Sequence, residues 1–169
     1  MRWTIAQVAG AVGSRAGAGL DPVARVAGVS IDSRTVGAGE LFIAIHGPRH
    51  DGHDHVESAL GRGAVGAMVA EAQLARYADE VRERCIPVAD TFKGLARLAT
   101  AVRESWGGKI AGVTGSVGKT TTKEILAALL GSRLRILKSE GNLNNEYGLP
   151  LTLFKLDETH QAAVLEMGM

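Results

Sequence analysis

The sequence has little of several residue types that mark particular classes of protein. Cysteine occurs once in 169 residues, as Cys85, so no disulfide framework can form within the chain. Its predicted role is a small buried side chain at the start of a strand. Aromatic residues make up 4% and the formal net charge is +1, which argues against nucleic-acid binding. No run approaches the roughly 20 apolar residues of a membrane-spanning helix, so we predict a soluble cytoplasmic protein without membrane insertion.

What remains is the composition of an ordinary globular protein, with 46% hydrophobic and 22% charged residues. In residues 1–87, short apolar segments alternate with segments whose apolar residues recur at helical spacing, which predicts a small α/β domain. Thr4 is predicted to cap its first helix. The predicted strands are 26–32, 40–45, 63–70 and 85–89, and the predicted helices include 55–63 and 72–84.

A second region follows a predicted helix at 91–106, which Asp90 or Thr91 can cap. Residues 107–109, Gly-Gly-Lys, are a plausible hinge. Beyond them the pattern predicts the first part of a parallel-sheet nucleotide-binding domain, with strand order left open. Because the sequence stops just after a strand that belongs at the centre of such a sheet, we expect a part of a longer protein. The predicted elements are a buried strand at 110–114, a helix at 120–133 and strands at 134–139 and 162–166.

The segment GVTGSVGKTTTKE, residues 112–124, has the properties of a phosphate-binding loop. The strict pattern G-x-x-x-x-G-K-[ST] requires a glycine at the position of Val113, which lies inside the predicted strand. Gly115 and Gly118 still supply a sharp turn, and a lysine, a threonine and a helix start follow at once. The alternative is a glycine-rich turn with an incidental lysine. The strand before the segment and the helix after it favour the phosphate loop.

An acidic residue ends the last predicted strand. Glu166 follows the apolar run AAVL, at the edge of a parallel sheet where ligands bind. Its carboxylate and the Thr120 hydroxyl are oxygen donors of the kind that Mg²⁺ prefers. The alternative is a charged residue that marks the exit of the strand to solvent.

Three asparagines follow the strand at 134–139. Asn142, Asn144 and Asn145 occupy three of four consecutive positions. Amide side chains at the end of a strand are candidates for substrate contacts, and the alternative is turn and capping chemistry.

Two polar segments stand out in residues 1–87. In SIDSRT, residues 30–35, Asp32, Ser33 and Arg34 are candidates for binding a uracil edge or a diphosphate; the alternative is a capping turn. Segment 46–55, HGPRHDGHDH, raises the possibility of a metal phosphohydrolase. One Gly/Pro loop is a poor source for all the ligands of such a site, so we favour a polar loop in which Asp54 caps the next helix.

Four segments in order resemble the Mur ligase family. They are TGSVGKTTTKE (114–124), SEGNLNNEYGLPLTLFKL (139–156), VLEMGM (164–169) and the long segment 28–69 that contains D-S-R and D-G-H-D. The resemblance is closest to the branch that adds D-alanyl-D-alanine to UDP-N-acetylmuramoyl-tripeptide. Val117 and Tyr147 are mild departures from the pattern of that branch.

The resemblance implies peptidoglycan precursor synthesis by ATP-dependent amide formation through an acyl phosphate, with ATP and Mg²⁺ as cofactors. It assigns Lys119 a catalytic role and makes Thr120 and Glu166 metal ligands. The implied ATP contacts are Thr114, Gly115, Ser116, Val117, Gly118, Lys119 and Thr120. The implied contacts with the UDP substrate are Ser33, Arg34, Asp51, Gly52, His53, Asn142, Asn144 and Asn145.

The resemblance also implies a division of labour along the chain. Residues 1–87 would recognise the UDP sugar, 88–108 would connect, and 109–169 would be an incomplete ATP-binding domain. The partner D-alanyl-D-alanine would bind a further domain that is absent here, so we expect the chain alone to be inactive. The alternatives are another amide ligase of the superfamily and a non-catalytic nucleotide-binding module. The D-S-R segment and NNEYGLP argue against folylpolyglutamate synthetase.

Overall fold

The computed structural model describes residues 3–48, 50–141 and 143–168. They form two compact units that divide between Leu98 and Ala99. The first unit contains α1 (Ile5–Val12), β1 (Val29–Ser30), β2 (Leu41–Ile43), a 3-10 helix (Gly52–His55), α2 (Val56–Gly61), β3 (Gly66–Ala70), a second 3-10 helix (Glu71–Arg76), α3 (Asp79–Arg82) and β4 (Cys85–Val88). Helix α4 (Thr91–Trp106) contains the division. The second unit continues with β5 (Lys109–Val113), α5 (Lys119–Gly131), β6 (Ile136–Lys138), α6 (Gly148–Leu153) and β7 (Ala162–Glu166).

The first unit is built on a four-stranded parallel sheet in the order β1-β2-β3-β4. Helix α1 begins with a capping box in which the Thr4 side chain accepts from Gln7 N and the Gln7 side chain accepts from Thr4 N. The predicted cap and the predicted α/β class are therefore confirmed. Cys85 is the first residue of β4 and is fully buried, as predicted, and burial raises the pKa of its thiol to about 11.

The prediction of one continuous helix at 72–84 is wrong. The chain forms a 3-10 helix and then the single turn of α3, with Tyr77 in an extended conformation between them. The Tyr77 ring is buried and its hydroxyl donates to the His53 backbone oxygen at 2.8 Å. Leu74 and Val81 pack against the same core. The helical spacing of these three residues therefore reflects a shared core and not a shared helix.

The second unit contains a three-stranded parallel sheet in the order β5-β7-β6. Every residue of β7 is buried, which agrees with its predicted central position. The prediction that the first strand is buried is wrong, because β5 lies at the edge of this sheet and is half-exposed. Its apolar sequence suits one covered face and a single neighbouring strand. The carboxyl ends of all three strands meet at one edge of the sheet, where ligands of such sheets bind.

Helix α4 is capped by Asp90, whose carboxylate accepts from Lys93 N at 3.0 Å. The two compact units divide inside this helix, whereas the sequence predicts a connector at 88–108 and a hinge at 107–109. The functional boundaries of the domains stay predictions. Among the described residues, no helix combines the length and the apolar character that crossing a membrane requires.

Candidate nucleotide and substrate sites

The loop between β5 and α5 has the backbone that a phosphate site requires. Gly115 and Gly118 have φ angles of 141° and 80°, which side-chain-bearing residues rarely adopt. Val113 is the last residue of β5. The glycine that the strict pattern expects at that position would therefore fall in the strand and not in the turn, which explains how the loop forms without it.

Helix α5 presents its N-terminus to this loop. Gly118 is the N-cap residue, and no side chain of the described residues caps the helix. The first-turn N–H groups and the helix dipole together favour an anion. The Lys119 ammonium donates to the Gly115 backbone oxygen and so lies across the loop. The loop and the helix start therefore form a positively polarised cradle of the kind that holds phosphate.

Glu166 and Thr120 lie together at the carboxyl edge of the sheet. The Thr120 hydroxyl donates to Glu166 Oε2 at 3.0 Å, although 46 positions separate the two residues in the chain. A hydroxyl and a carboxylate beside a phosphate cradle form the oxygen-donor pair that Mg²⁺ uses together with phosphate oxygens. The described residues contain no cluster of three or more His, Cys, Asp or Glu side chains suited to a metal ion. One carboxylate is sufficient where phosphates and water supply the other ligands.

The predicted asparagines separate into different environments. Asn144 Nδ2 donates to Glu166 Oε1 at 2.9 Å, and its backbone oxygen accepts from Gly168 N. Asn145 Oδ1 accepts from Gly148 N at 2.8 Å just before α6, which is local turn chemistry of the kind that the alternative predicts. Asn142 lies outside the described residues. Contacts of any of the three with substrate stay predictions.

The first unit has a cavity of about 640 Å³ at the carboxyl ends of β1 and β2. Its size is within the range of small-molecule sites, about 300–1,000 Å³. Asp32 accepts from Arg34 Nε and Nη2 at 2.9 and 2.7 Å, and hydrogen bonds from the side chain and backbone of Arg34 lower the pKa of Asp32 to about 2. The lining residues include Asp32, Ser33, Arg34, Phe42, His50 and Gly52.

Asp51 and His53 face a second, smaller cavity of about 330 Å³. The buried His53 ring lies with Nδ1 2.6 Å from Asp51 Oδ1, and its Nε2 accepts from Ala70 N at 2.9 Å. Burial alone would raise the pKa of Asp51, but hydrogen bonds from His53 outweigh it and leave the pKa lowered. The fold therefore already uses both ring nitrogens of His53, and a direct contact with substrate stays a prediction.

The predicted cap at Asp54 is wrong. Asp51 caps the 3-10 helix through His53 N, and α2 begins at Val56 without a side-chain cap. The Asp54 carboxylate accepts instead from Arg76. The 3-10 helix places Asp54 inside a turn, so its side chain is too late in the chain to cap that helix and too early for α2.

Two family models cover most of the chain. The model described as "Mur ligase family, catalytic domain" matches residues 25–103, and the "Mur ligase middle domain" model matches residues 113–169. The chain belongs to the Mur ligase family. The middle-domain match begins at Val113 and spans the phosphate loop, the asparagine segment and Glu166.

Curated Mur ligases of one branch are similar over most of the chain. The UDP-N-acetylmuramoyl-tripeptide--D-alanyl-D-alanine ligase of Bacillus subtilis is 42% identical over 142 residues, which are 84% of this chain and 30% of that protein. The ligase of the same name from Mycobacterium tuberculosis is 37% identical over an alignment that covers 98% of this chain and 36% of that protein. The chain thus spans about a third of the length of these relatives.

Solved structures of the same branch share the fold. A crystal structure of MurF from Acinetobacter baumannii matches all of this chain and 36% of its own, with a TM-score of 0.88 and 33% identity. MurF ligase from Thermotoga maritima in complex with ADP matches 83% of this chain and 32% of its own, with a TM-score of 0.69 and 36% identity. The predicted Mur ligase family and α/β class are confirmed.

Two buried residues of this candidate site were not predicted from the sequence of this Mur ligase. Ser139 Oγ accepts from Glu166 N at 2.7 Å and so fixes the end of β7. Lys123 is 1% exposed, and its Nζ lies 3.6 Å from Glu166 Oε2. Lys123 follows Lys119 by four positions, a spacing that places both lysines on one face of α5. The spacing of the two lysines is the sequence signal from which Lys123 could have been predicted to lie near the site.

Several groups hold Glu166 ionised. The hydrogen bond from Asn144 lowers the pKa of Glu166 most, and burial opposes it. The hydrogen bond from Thr120 and the positive charges of Lys123 and Lys119 lower it further. The carboxylate is therefore anionic and oriented before any ligand arrives.

The His53 contacts carry a stability prediction. His53→Ala removes the acceptor of the partly buried Ala70 N–H and the buried partner of Asp51, so we expect a loss of about 2–4 kcal/mol in the free energy of unfolding. Chemical denaturation measures it. His55→Ala, on the same turn but exposed, is the matched control and is expected to change stability by under about 0.5 kcal/mol. Equal effects of the two variants would contradict the structural role of His53.

Proposed function

We propose that this chain carries the UDP-substrate site and the ATP phosphate site of a cytoplasmic ligase of peptidoglycan precursor synthesis. The reaction is the ATP-dependent addition of D-alanyl-D-alanine to UDP-N-acetylmuramoyl-tripeptide, which is the activity in the names of the similar curated ligases. The observation that carries the proposal is the hydrogen bond between Thr120 and Glu166 beside the glycine loop. It joins the two oxygen donors that a magnesium–nucleotide site requires.

The roles of the loop residues follow from their positions. Backbone N–H groups from Gly115 to Lys119 surround the phosphates, and the Lys119 ammonium balances the charge of the β- and γ-phosphates. Thr120 and Glu166 would hold Mg²⁺, which would neutralise phosphate charge. The protein's part is to position groups and to stabilise charge.

The proposed chemistry has two steps. The substrate carboxylate attacks the γ-phosphorus of ATP, the bond from that phosphorus to the bridging oxygen breaks, and an acyl phosphate and ADP form. The amine of D-alanyl-D-alanine then attacks the acyl carbon and displaces phosphate. Both steps require reacting atoms at about 3–3.5 Å and the exclusion of water.

The larger cavity of the first unit is the proposed site for the UDP part of the substrate. Ser33 lines it from the end of β1, and Gly52 lines it from the loop after β2. A guanidinium has five N–H donors, and Asp32 orients that of Arg34 through two of its nitrogens. An oriented guanidinium suits a diphosphate, because it can donate two parallel hydrogen bonds.

Arg34→Ala is expected to weaken binding of UDP-N-acetylmuramoyl-tripeptide ten- to about a hundredfold, because a hydrogen bond to a charged group contributes about 1.5–3 kcal/mol. Calorimetry measures the affinity. Arg62→Ala, an exposed arginine at the end of α2, is the control and should leave affinity unchanged. An intact Arg34→Ala variant with wild-type affinity would contradict the assignment.

The proposed function is tested by two binding measurements and one assay. We expect this chain to bind UDP-N-acetylmuramoyl-tripeptide, and to bind ATP more tightly with Mg²⁺ than without it. In the form that its own cells make, the protein should release phosphate and form UDP-N-acetylmuramoyl-pentapeptide when all substrates are present. Nucleotide binding without product formation in that form would favour a non-catalytic nucleotide-binding module.

A further inference from the structure

Lys123 is a fully buried lysine that the proposed chemistry does not use. Lysine is almost never fully buried unless it is paired, because removal of an ammonium group from water is costly. Only 1% of its surface is exposed, although it lies in the second turn of α5 close to the loop. Its burial therefore requires a compensating anion.

Two carboxylates lie near the Lys123 ammonium, and they are not equivalent. Glu124 Oε1 lies 3.3 Å away, but this side chain is half-exposed and Glu124 Oε2 is also held by Lys138 at 2.6 Å. Glu166 Oε2 lies 3.6 Å away and is buried with the lysine. Water screens the first pair more than the second. Glu124 therefore compensates the charge only in part, and Glu166 is its buried anionic partner.

Hydrogen-bond donors and an ammonium group already surround the Glu166 carboxylate. Oε1 accepts from Asn144, and Oε2 accepts from Thr120 and faces Lys123. A divalent cation on Oε2 would share that oxygen with the ammonium group. Repulsion between them opposes metal binding until another anion arrives, and the phosphates of a nucleotide bring that negative charge.

We propose that Lys123 is a positioning residue that acts as the counter-ion of Glu166 when no metal is bound and so makes divalent-metal binding depend on nucleotide. This inference rests on the proposed nucleotide site. It assigns the lysine of TTTKE a role distinct from that of Lys119, which serves the phosphates. Metal is then admitted together with nucleotide and not before it.

The test measures the affinity for Mn²⁺ in the absence of nucleotide. Binding is detected as a loss of the free Mn²⁺ signal in electron paramagnetic resonance. Removal of a unit charge beside a divalent ion should tighten binding at least about tenfold, even at the permittivity of water. We expect that increase for Lys123→Met and Lys123→Gln. Lys123→Arg keeps the charge and should retain the weak binding of the wild type.

The matched control is Lys138→Met. Lys138 pairs with Glu124, which also pairs with Lys123, but Lys138 does not contact Glu166 in the structure. Its loss should change Mn²⁺ affinity by less than about twofold, because exposed charges are screened. A purely structural role for Lys123 would lower stability without tightening Mn²⁺ binding, and that result would overturn the inference.

The proposed nucleotide site and the proposed role of Lys123 would be contradicted by different results. If the wild type does not bind Mn²⁺ even with ATP or ADP, the proposed function fails and this inference with it. If the wild type binds Mn²⁺ with nucleotide but Lys123→Met and Lys123→Gln keep wild-type affinity without it, only the inference is wrong. If both single variants unfold, restored folding in Lys123→Met/Glu166→Gln supports the pairing, and failure to restore it contradicts the pairing.

Discussion

Replacement of Lys119 with alanine is expected to weaken ATP binding at least about a hundredfold and to abolish ligation. The ammonium group lies across the phosphate loop, held by the Gly115 backbone oxygen. A lysine that contacts both the β- and γ-phosphates makes more than one charge-assisted hydrogen bond, each of which contributes about 1.5–3 kcal/mol. Calorimetric titration with ATP and Mg²⁺ measures the loss, and product formation by the protein in the form that its own cells make reports on ligation.

The same substitution should leave the melting temperature nearly unchanged. Lys119 is only partly buried and its ammonium donates to a loop carbonyl, so its contribution to stability is small. Lys109→Ala is the matched control. This exposed lysine is the first residue of β5 and so lies at the amino end of the strand, away from the phosphate loop at its carboxyl end. An active Lys119→Ala variant, or one that unfolds, would show that Lys119 is not a phosphate ligand.

Local signals were sufficient to predict much of the second unit. The phosphate loop was predictable because glycines at 115 and 118 are required by backbone geometry, and their φ angles agree. The central place of β7 was predictable because a run buried on both faces is apolar throughout. The edge position of β5 was not, since an apolar strand of five residues does not reveal how many neighbours it has.

The wrong helix prediction at 72–84 has a physical origin outside that segment. Tyr77 occupies a position that suits a helix in the local pattern, but its ring and hydroxyl are held by the core and by the His53 backbone oxygen. The choice between a helix and two separate turns therefore depends on a contact 24 positions away. His53 is predicted to contact the UDP substrate, and the sequence does not reveal that its ring is buried and hydrogen-bonds within the fold.

Glu166→Gln is expected to remove most of the gain in ATP affinity that Mg²⁺ provides. The variant keeps the shape of the side chain but loses the anionic oxygen beside Thr120. Both oxygens of Glu166 face donors, from Asn144 on one side and from Thr120 and Lys123 on the other. The new amide nitrogen therefore meets a donor in either orientation, and the buried Lys123 ammonium keeps only the half-exposed Glu124 as an anionic partner. Breaking a buried pair in this way destabilises proteins by about 3–5 kcal/mol.

The metal effect can be separated from that loss of stability. Lys123→Met/Glu166→Gln removes both charges, so it should recover most of the stability while ATP affinity stays insensitive to Mg²⁺. Glu140→Gln is the control for a lost carboxylate: Glu140 is exposed and pairs with Lys155 at 3.0 Å, so it should change neither quantity appreciably. The measurement is the ratio of ATP dissociation constants without and with Mg²⁺. A wild-type ratio in the stable double variant would mean that Glu166 orders the end of β7 but does not hold the metal.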